Sequence, residues 1–192
     1  YSTTVDPENP DETPRDPKAP APVRVVKRID YKQDGYGFVN DVRNQVFVVE
    51  IASGERRALT SGPNDHLSPV WSPDGTTLAV TLPRLNGMAS QIGLIDVESG
   101  SLRTFGGEGG SSHLMVWSPD GTSILFAGND HETPHEELML LDVAAGTIRM
   151  LTDDLPFLPD GGYQSGGPAG APVWTDASTV LLHGLHKGGS GL

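Results

Sequence analysis

Cysteine is absent from all 192 residues. That excludes disulfides, thiolate metal sites and a cysteine nucleophile, while leaving the redox compartment open. Basic residues are scarce: 13 Lys and Arg stand against 25 Asp and Glu, a net charge of −12. Nucleic acid and anionic membranes reward clustered Lys and Arg, so neither is expected as a partner, and the charge serves solubility first. No apolar run reaches membrane-spanning length, and no long stretch keeps an amphipathic helical period. A positively charged start followed by an apolar core is also missing, so no signal peptide is visible. A cytoplasmic location is expected, with export left open because the native start can lie upstream of Tyr1.

What the chain has in quantity is turn formers, 24 Gly and 16 Pro, among 36% apolar residues. They are organised around one pentapeptide. Trp71-Ser72-Pro73-Asp74-Gly75 returns as Trp117-Ser118-Pro119-Asp120-Gly121 after 46 residues, and more loosely as Trp174-Thr175-Asp176-Ala177-Ser178 after 57. Proline removes a ladder donor and ends the incoming strand. Asp-Gly then turns the chain back as a hairpin, with Gly75 and Gly121 free to take positive φ. A Trp ahead of such a turn is a large apolar plate suited to a seam between stacked sheets. Trp71, Trp117 and Trp174 are therefore all expected to be buried.

The surrounding sequence repeats the same grammar. Strands are expected at Val23–Tyr31, Gly35–Val39, Gln45–Ile51 and Arg56–Thr60, at Leu67–Ser72, Thr77–Leu82, Gln91–Val97 and Ser101–Phe105, and at Leu114–Ser118, Ser123–Ala127, Leu138–Val143 and Thr147–Thr152. A fourth unit opens with Ala171–Thr175 and Thr179–His183. Four-stranded antiparallel meanders of this period are the blades of a β-propeller, an all-β architecture. The blades fall near 23–60, 67–105, 114–152 and 171–192, the last incomplete. Residues 1–22 hold six prolines among acidic and polar residues and read as an extended linker or long loop. About three and a half blades do not close a ring, so a fragment of a longer protein is expected.

The WSPDG repeats, with Leu59-Thr60 and Leu151-Thr152 closing blades, resemble TolB-like, WD-like propeller repeats. Arg28-Ile29-Asp30-Tyr31-Lys32-Gln33-Asp34-Gly35-Tyr36-Gly37-Phe38, followed by Arg57-Ala58-Leu59-Thr60, is similar to the propeller of acylaminoacyl-peptidase-type members of the prolyl oligopeptidase family. This resemblance spans about residues 24–185. It implies a serine peptidase in which a propeller gates peptide access to a C-terminal α/β-hydrolase domain carrying Ser, Asp and His. A TolB-like propeller that binds a protein or peptide without chemistry is the alternative.

None of the hydrolase equipment is in the sequence. Gly110-Ser111, Gln164-Ser165-Gly166 and Gly189-Ser190-Gly191 all miss the Gly-x-Ser-x-Gly spacing of a nucleophile elbow, so no catalytic residue is assigned. Ser68 or Ser112 with His66 or His113 and Asp65 lie in connecting segments, where sequence proximity gives no triad geometry. His131 and His135 stand four apart among Glu132, Glu136 and Glu137, a zinc-like pattern. Pro134 interrupts the helix such a site needs, so a solvated loop is the better reading. Gly35-Tyr36-Gly37-Phe38 lacks the helix and third glycine of a dinucleotide fingerprint. Asp153, Asp154 and Asp160 lack the alternation of a calcium loop. No cofactor is expected.

Open blade faces and an unpaired strand edge drive association. An ordered sample is therefore expected to be associated, either with the rest of its parent or with copies of itself. Light scattering coupled to size exclusion checks this, and a monodisperse, cooperatively folded 20.3 kDa monomer would refute it.

Overall fold

The computed structural model describes residues 1–6, 14, 16–20, 23, 25–26, 31–33, 37–38, 42–130, 136–152, 158–159, 171–182, 184–186 and 189–191. Two complete four-stranded antiparallel blades dominate it. The second blade runs Leu67–Trp71, Thr77–Arg84, Ala89–Asp96 and Leu102–Phe105 from its innermost to its outermost strand. The third runs Ser111–Trp117, Ser123–Asn129, Glu137–Asp142 and Ile148–Met150 in the same order. A single 3-10 turn, Leu85–Gly87, is the only helical element among the described residues.

The 46-residue period persists in the backbone. Gly54, Gly100 and Gly146 take φ of 72°, 72° and 70° where the third strand turns into the fourth, a conformation only glycine adopts without strain. Each donates its N–H four residues back, to Glu50, Asp96 and Asp142. The innermost strands of both complete blades carry a bulge at one phase, between Leu67 and Val70 and between His113 and Val116. Ser68 and Leu114 there have φ of 51° and 53°. Composition gives no warning of these bulges, because neither residue is a glycine.

Burial follows from the period of two along a strand. Leu78, Val80, Leu82 and Ile95 face the first sheet and cluster with Val46 and Leu59. Ala79, Ile92 and Leu94 point the other way, against Met115, Trp117, Ile124, Phe126, Met139 and Leu141 of the third blade. Gly93 lies on the first of these faces. A Cβ there would come within 2.9 Å of both Val80 and Leu102 side chains, so a larger residue would have to displace them.

The first sheet departs from expectation. Its strands are Ser2–Val5, Arg43–Val49 and Arg56–Ala58, so part of the segment read as a linker is a strand. Ser2-Thr3-Thr4-Val5 is rich in β-branched residues, and the prolines that follow masked it. Tyr1 stacks on Phe47, with ring centroids 5.7 Å apart, and accepts the Phe47 N–H. Of the strand expected over 23–31, the described residues Val23, Val25, Val26 and Tyr31 are exposed and outside any strand. Lys32–Gln33 pairs with Gly37–Phe38, close to the second expected strand. The fourth unit contributes the short pair Val173–Trp174 and Val180–Leu181.

Trp117 is 7% exposed and donates its Nε1–H to the Val70 carbonyl at 3.1 Å across the seam. Trp71 is 50% exposed, contrary to expectation, because no strand covers its ring among the described residues. Trp174 is half-buried, with a buried Nε1 that meets no acceptor among the described residues. Trp117→Ala removes a seam plate together with its hydrogen bond and is expected to cost ~3–5 kcal/mol of stability in denaturant titration. An unchanged midpoint would disprove the seam.

Candidate functional site

The pentapeptide turns are built as closed hydrogen-bond circuits. Buried Ser72 donates its hydroxyl to Asp74 Oδ1 at 2.6 Å and accepts the Thr77 N–H at 3.0 Å. The same carboxylate takes the Thr76 N–H at 3.1 Å and the Thr76 hydroxyl at 3.0 Å. The third blade repeats this with Ser118 to Asp120 at 2.6 Å, Thr122 N–H to Asp120 at 3.0 Å and Ser123 N–H to Ser118 at 3.0 Å. Gly75 and Gly121 both sit at φ 72°, as their place in the turn requires. The fourth unit keeps the essential part in a shorter turn. Asp176 accepts the Ser178 N–H at 2.8 Å and its hydroxyl at 3.0 Å, and Ala177 stands where the others have glycine.

These bonds favour the charged carboxylates. Asp74 and Asp120 are held below the ordinary carboxylate range, first by the serine hydroxyls and then by the threonine groups. Asp176 shifts the same way, led by the Ser178 N–H. Between the two full turns lies a cleft of about 490 Å³, lined by Pro73, Asp74, Trp117, Pro119, Asp120 and Val143. Its carboxylates accept the hydrogen bonds of their own turns.

The opposite ends of the strands carry the other polar residues. Ser90 accepts the Ser112 N–H at 2.7 Å, and Ser90 N–H donates to Gly110 O at 2.8 Å, stitching the second blade to the third. Glu136 is placed between Ser111 and His113, 3.3 Å from the Ser111 hydroxyl and 3.3 Å from His113 Nε2. The His113 hydrogen bond is the main reason its carboxyl is more acidic than usual. His66 is buried, its Nδ1 has no partner among the described residues, and burial lowers its pKa. Asp65 accepts from the Asn44 N–H at 2.7 Å. Among the described residues no hydrogen bond joins Ser68 or Ser112 to His66 or His113. The Ser112 N–H goes to Ser90, and His113 meets Glu136.

His131 and His135, the candidate metal ligands, lie outside the described residues, as do Asp153, Asp154 and Asp160. Among the described residues no group of three or more His, Asp and Glu could hold a metal ion. A polar repeat escaped sequence reasoning. Gln45, Gln91 and Glu137 recur every 46 residues, early in the strands Arg43–Val49, Ala89–Asp96 and Glu137–Asp142. Thr60 donates its hydroxyl to Gln45 at 2.7 Å and accepts the Val46 N–H at 2.9 Å. Thr152 does the same with Glu137 at 2.5 Å and the Leu138 N–H at 2.9 Å. In the second blade Gly106 takes the threonine's place, and Gln91 donates to its carbonyl at 2.8 Å. The Leu-Thr pairs that close blades are thus latches, and their constant spacing from these polar residues was the available signal.

A protein described as TolB from Agrobacterium tumefaciens superposes with a TM-score of 0.54 at 19% identity, over 75% of this chain and 47% of its own. The fold is a β-propeller. An acylaminoacyl peptidase, solved with Z-Gly-Gly-Phe-chloromethyl ketone, gives a TM-score of 0.55 at 17% identity over 74% of this propeller chain and 23% of its own. Puromycin hydrolase gives 0.53 at 13%, over 76% and 21%. The likeness to TolB-like propellers and to the propellers of prolyl oligopeptidase-family peptidases holds at the level of fold, and the blades are not closed into a ring among the described residues. The uncharacterized peptidase YuxL of Bacillus subtilis (strain 168) is 42% identical over 53 residues, 28% of this chain and 8% of that protein. No family model matches. The propeller thus spans under half the length of each relative.

The turn carboxylates make a pH prediction. The folded pKa of Asp120 lies below 3.8, so its stabilisation is complete above that value and is lost as pH falls through the folded pKa. Asp120→Asn is expected to lower Tm at neutral pH, and the gap to the parent should close in acid. A gap that stays constant down to acid would show that the charge plays no part.

Proposed function

We propose that this chain is a non-catalytic propeller segment of a serine peptidase of the prolyl oligopeptidase family, where it limits access of peptides to a separate α/β-hydrolase domain. The observation that carries this reading is the stretch of 53 residues at 42% identity to a protein named as a peptidase. The fold likeness to an acylaminoacyl peptidase and a puromycin hydrolase is in keeping with it. So is the inventory of the described polar groups. Ser72 and Ser118 hold turns, and Ser90 joins two blades, which suits a part that shapes access and leaves bond cleavage to another domain. Its partners on this reading are the remaining blades, the hydrolase domain and a peptide substrate.

A second reading has its own support. TolB gives a TM-score of 0.54 with the largest share of its own length, 47%, among the structures compared above. On that reading the propeller is a binding scaffold for a protein or peptide, with no hydrolase attached.

The coding sequence downstream of Leu192 separates the two. About 200–400 further residues are needed for remaining blades and a hydrolase domain. A Gly-x-Ser-x-Gly there, followed by Asp and His, supports the peptidase reading, and a stop codon soon after the last blade removes it. Both readings expect residues 1–192 alone to hydrolyse neither peptide nor ester. Stoichiometric labelling by a fluorophosphonate probe, placed within this chain by mass spectrometry, would overturn both.

A further inference from the structure

Arginine recurs at one phase of the repeat. Arg57, Arg103 and Arg149 stand 46 residues apart, all exposed, on the outermost strands Arg56–Ala58, Leu102–Phe105 and Ile148–Met150. Arg57 pairs with Val48 and Arg103 with Leu94, the same place in each sheet. The two side chains nevertheless behave differently. Arg57 reaches across the seam between the first sheet and the second blade and donates from Nη2 to the Val97 carbonyl at 2.6 Å. Arg103 stays on its own strand, with Cζ 5.4 Å from the centre of the Phe105 ring. The residue two places on explains the difference. Leu59 holds the place of Phe105 in the first sheet, and a leucine has no ring face to retain a cation.

Between the second and third blades the arginine is thus turned away from the place its counterpart takes. Val143 corresponds to Val97, since each donates its N–H to a threonine carbonyl in the turn of its own blade, Thr122 and Thr76. Val143 lines the cleft of about 490 Å³ between the two pentapeptide turns, with Trp117, Pro73 and Pro119 as further apolar walls and Asp74 and Asp120 beside them. No lining residue is cationic. The three hydrogen bonds that Ser118 and Thr122 give to Asp120 all fall on Oδ1, and no donor among the described residues is bonded to Oδ2. The walls suit a methylene stem and the carboxylates suit a cation. A guanidinium fits better than an ammonium, because its planar fork can serve a carbonyl and a carboxylate together.

We infer that this cleft receives an arginine side chain presented by a peptide. The guanidinium donates to the Val143 carbonyl as Arg57 does to that of Val97, and it pairs its charge with Asp120. The preceding seam supplies the precedent within the same molecule, which is why arginine is the occupant. The chain's excess of acidic residues favours the approach of such a partner. The inference is independent of the peptidase reading, so either can fail alone.

The test titrates the full chain with the peptide N-acetyl-Gly-Arg-Gly-amide. NMR follows the Gly121 and Val143 amides, and the Trp117 indole N–H reports that the seam stays closed. Saturable shifts of both amides are expected. The citrulline peptide, of the same shape without the charge, should bind at least about threefold more weakly, the scale of an exposed charge pair, and the lysine peptide should also bind more weakly. Phe105→Leu gives this seam the leucine of the first and frees Arg103 to enter the cleft, so it should weaken peptide binding. Adding Arg103→Gln to that variant should restore it. Citrulline or lysine peptides that bind as tightly as the arginine peptide overturn the inference. So does the absence of saturable shifts, or a Phe105→Leu chain that binds as before with its Trp117 signal intact. If Phe105→Leu loses that signal, the peptide series on the parent chain decides. Shifts of the same amides on raising protein concentration alone assign the cleft to a second copy and also overturn it.

Discussion

Every blade here must be apolar on both faces, and that constraint governs the rest. A sheet with one wet face alternates cleanly between apolar and polar residues, whereas Thr77–Arg84 buries Leu78, Val80 and Leu82 to one side and Ala79 to the other. No blade can satisfy two such faces alone. Stability is therefore shared between neighbours, as in other stacked repeats. The tryptophans, the glycine at position 93 and the serine stitches between Ser90 and Ser112 all serve this stacking.

What the sequence reveals follows the range of the interaction concerned. The hairpin turns were legible because their physics is local: Ser, Asp, Gly and Thr close a circuit within six residues, and a pentapeptide carries the message. Both complete blades were placed within a few residues for the same reason. Trp71 was misjudged because burial of a tryptophan depends on what stands opposite it, and that is a property of the neighbouring sheet. Ser2–Val5 was missed because a four-residue strand beside a proline-rich stretch is outweighed by its surroundings, and only the register with Arg43–Val49 reveals it. The bulges at Ser68 and Leu114 were invisible in composition. The candidate site was less legible still. No catalytic residue was assigned from the sequence, and what the serines and histidines do instead was not readable there: the Ser112 N–H bonds Ser90 across a seam and His113 meets Glu136.

The polar inventory has a common theme. Asp74, Asp120 and Asp176 hold turns, Thr60 and Thr152 latch strand starts, and Ser90 joins blades. Residues of these types attract attention as candidate acids, bases and nucleophiles. In a propeller most of them answer a different need, since each hairpin end leaves backbone groups that must find partners.

The placement of Ser2–Val5 also bears on the order in which the molecule assembles. The second and third blades join strands that follow one another through short turns, so their contacts close small loops and form early. The first sheet instead reaches across the whole proline-rich segment to bring Ser2 against Val46. Closing that loop carries a larger entropic cost, and the strand that closes it has little surface of its own to offset this. On loop-closure entropy, the amino-terminal edge is expected to lock after the two complete blades.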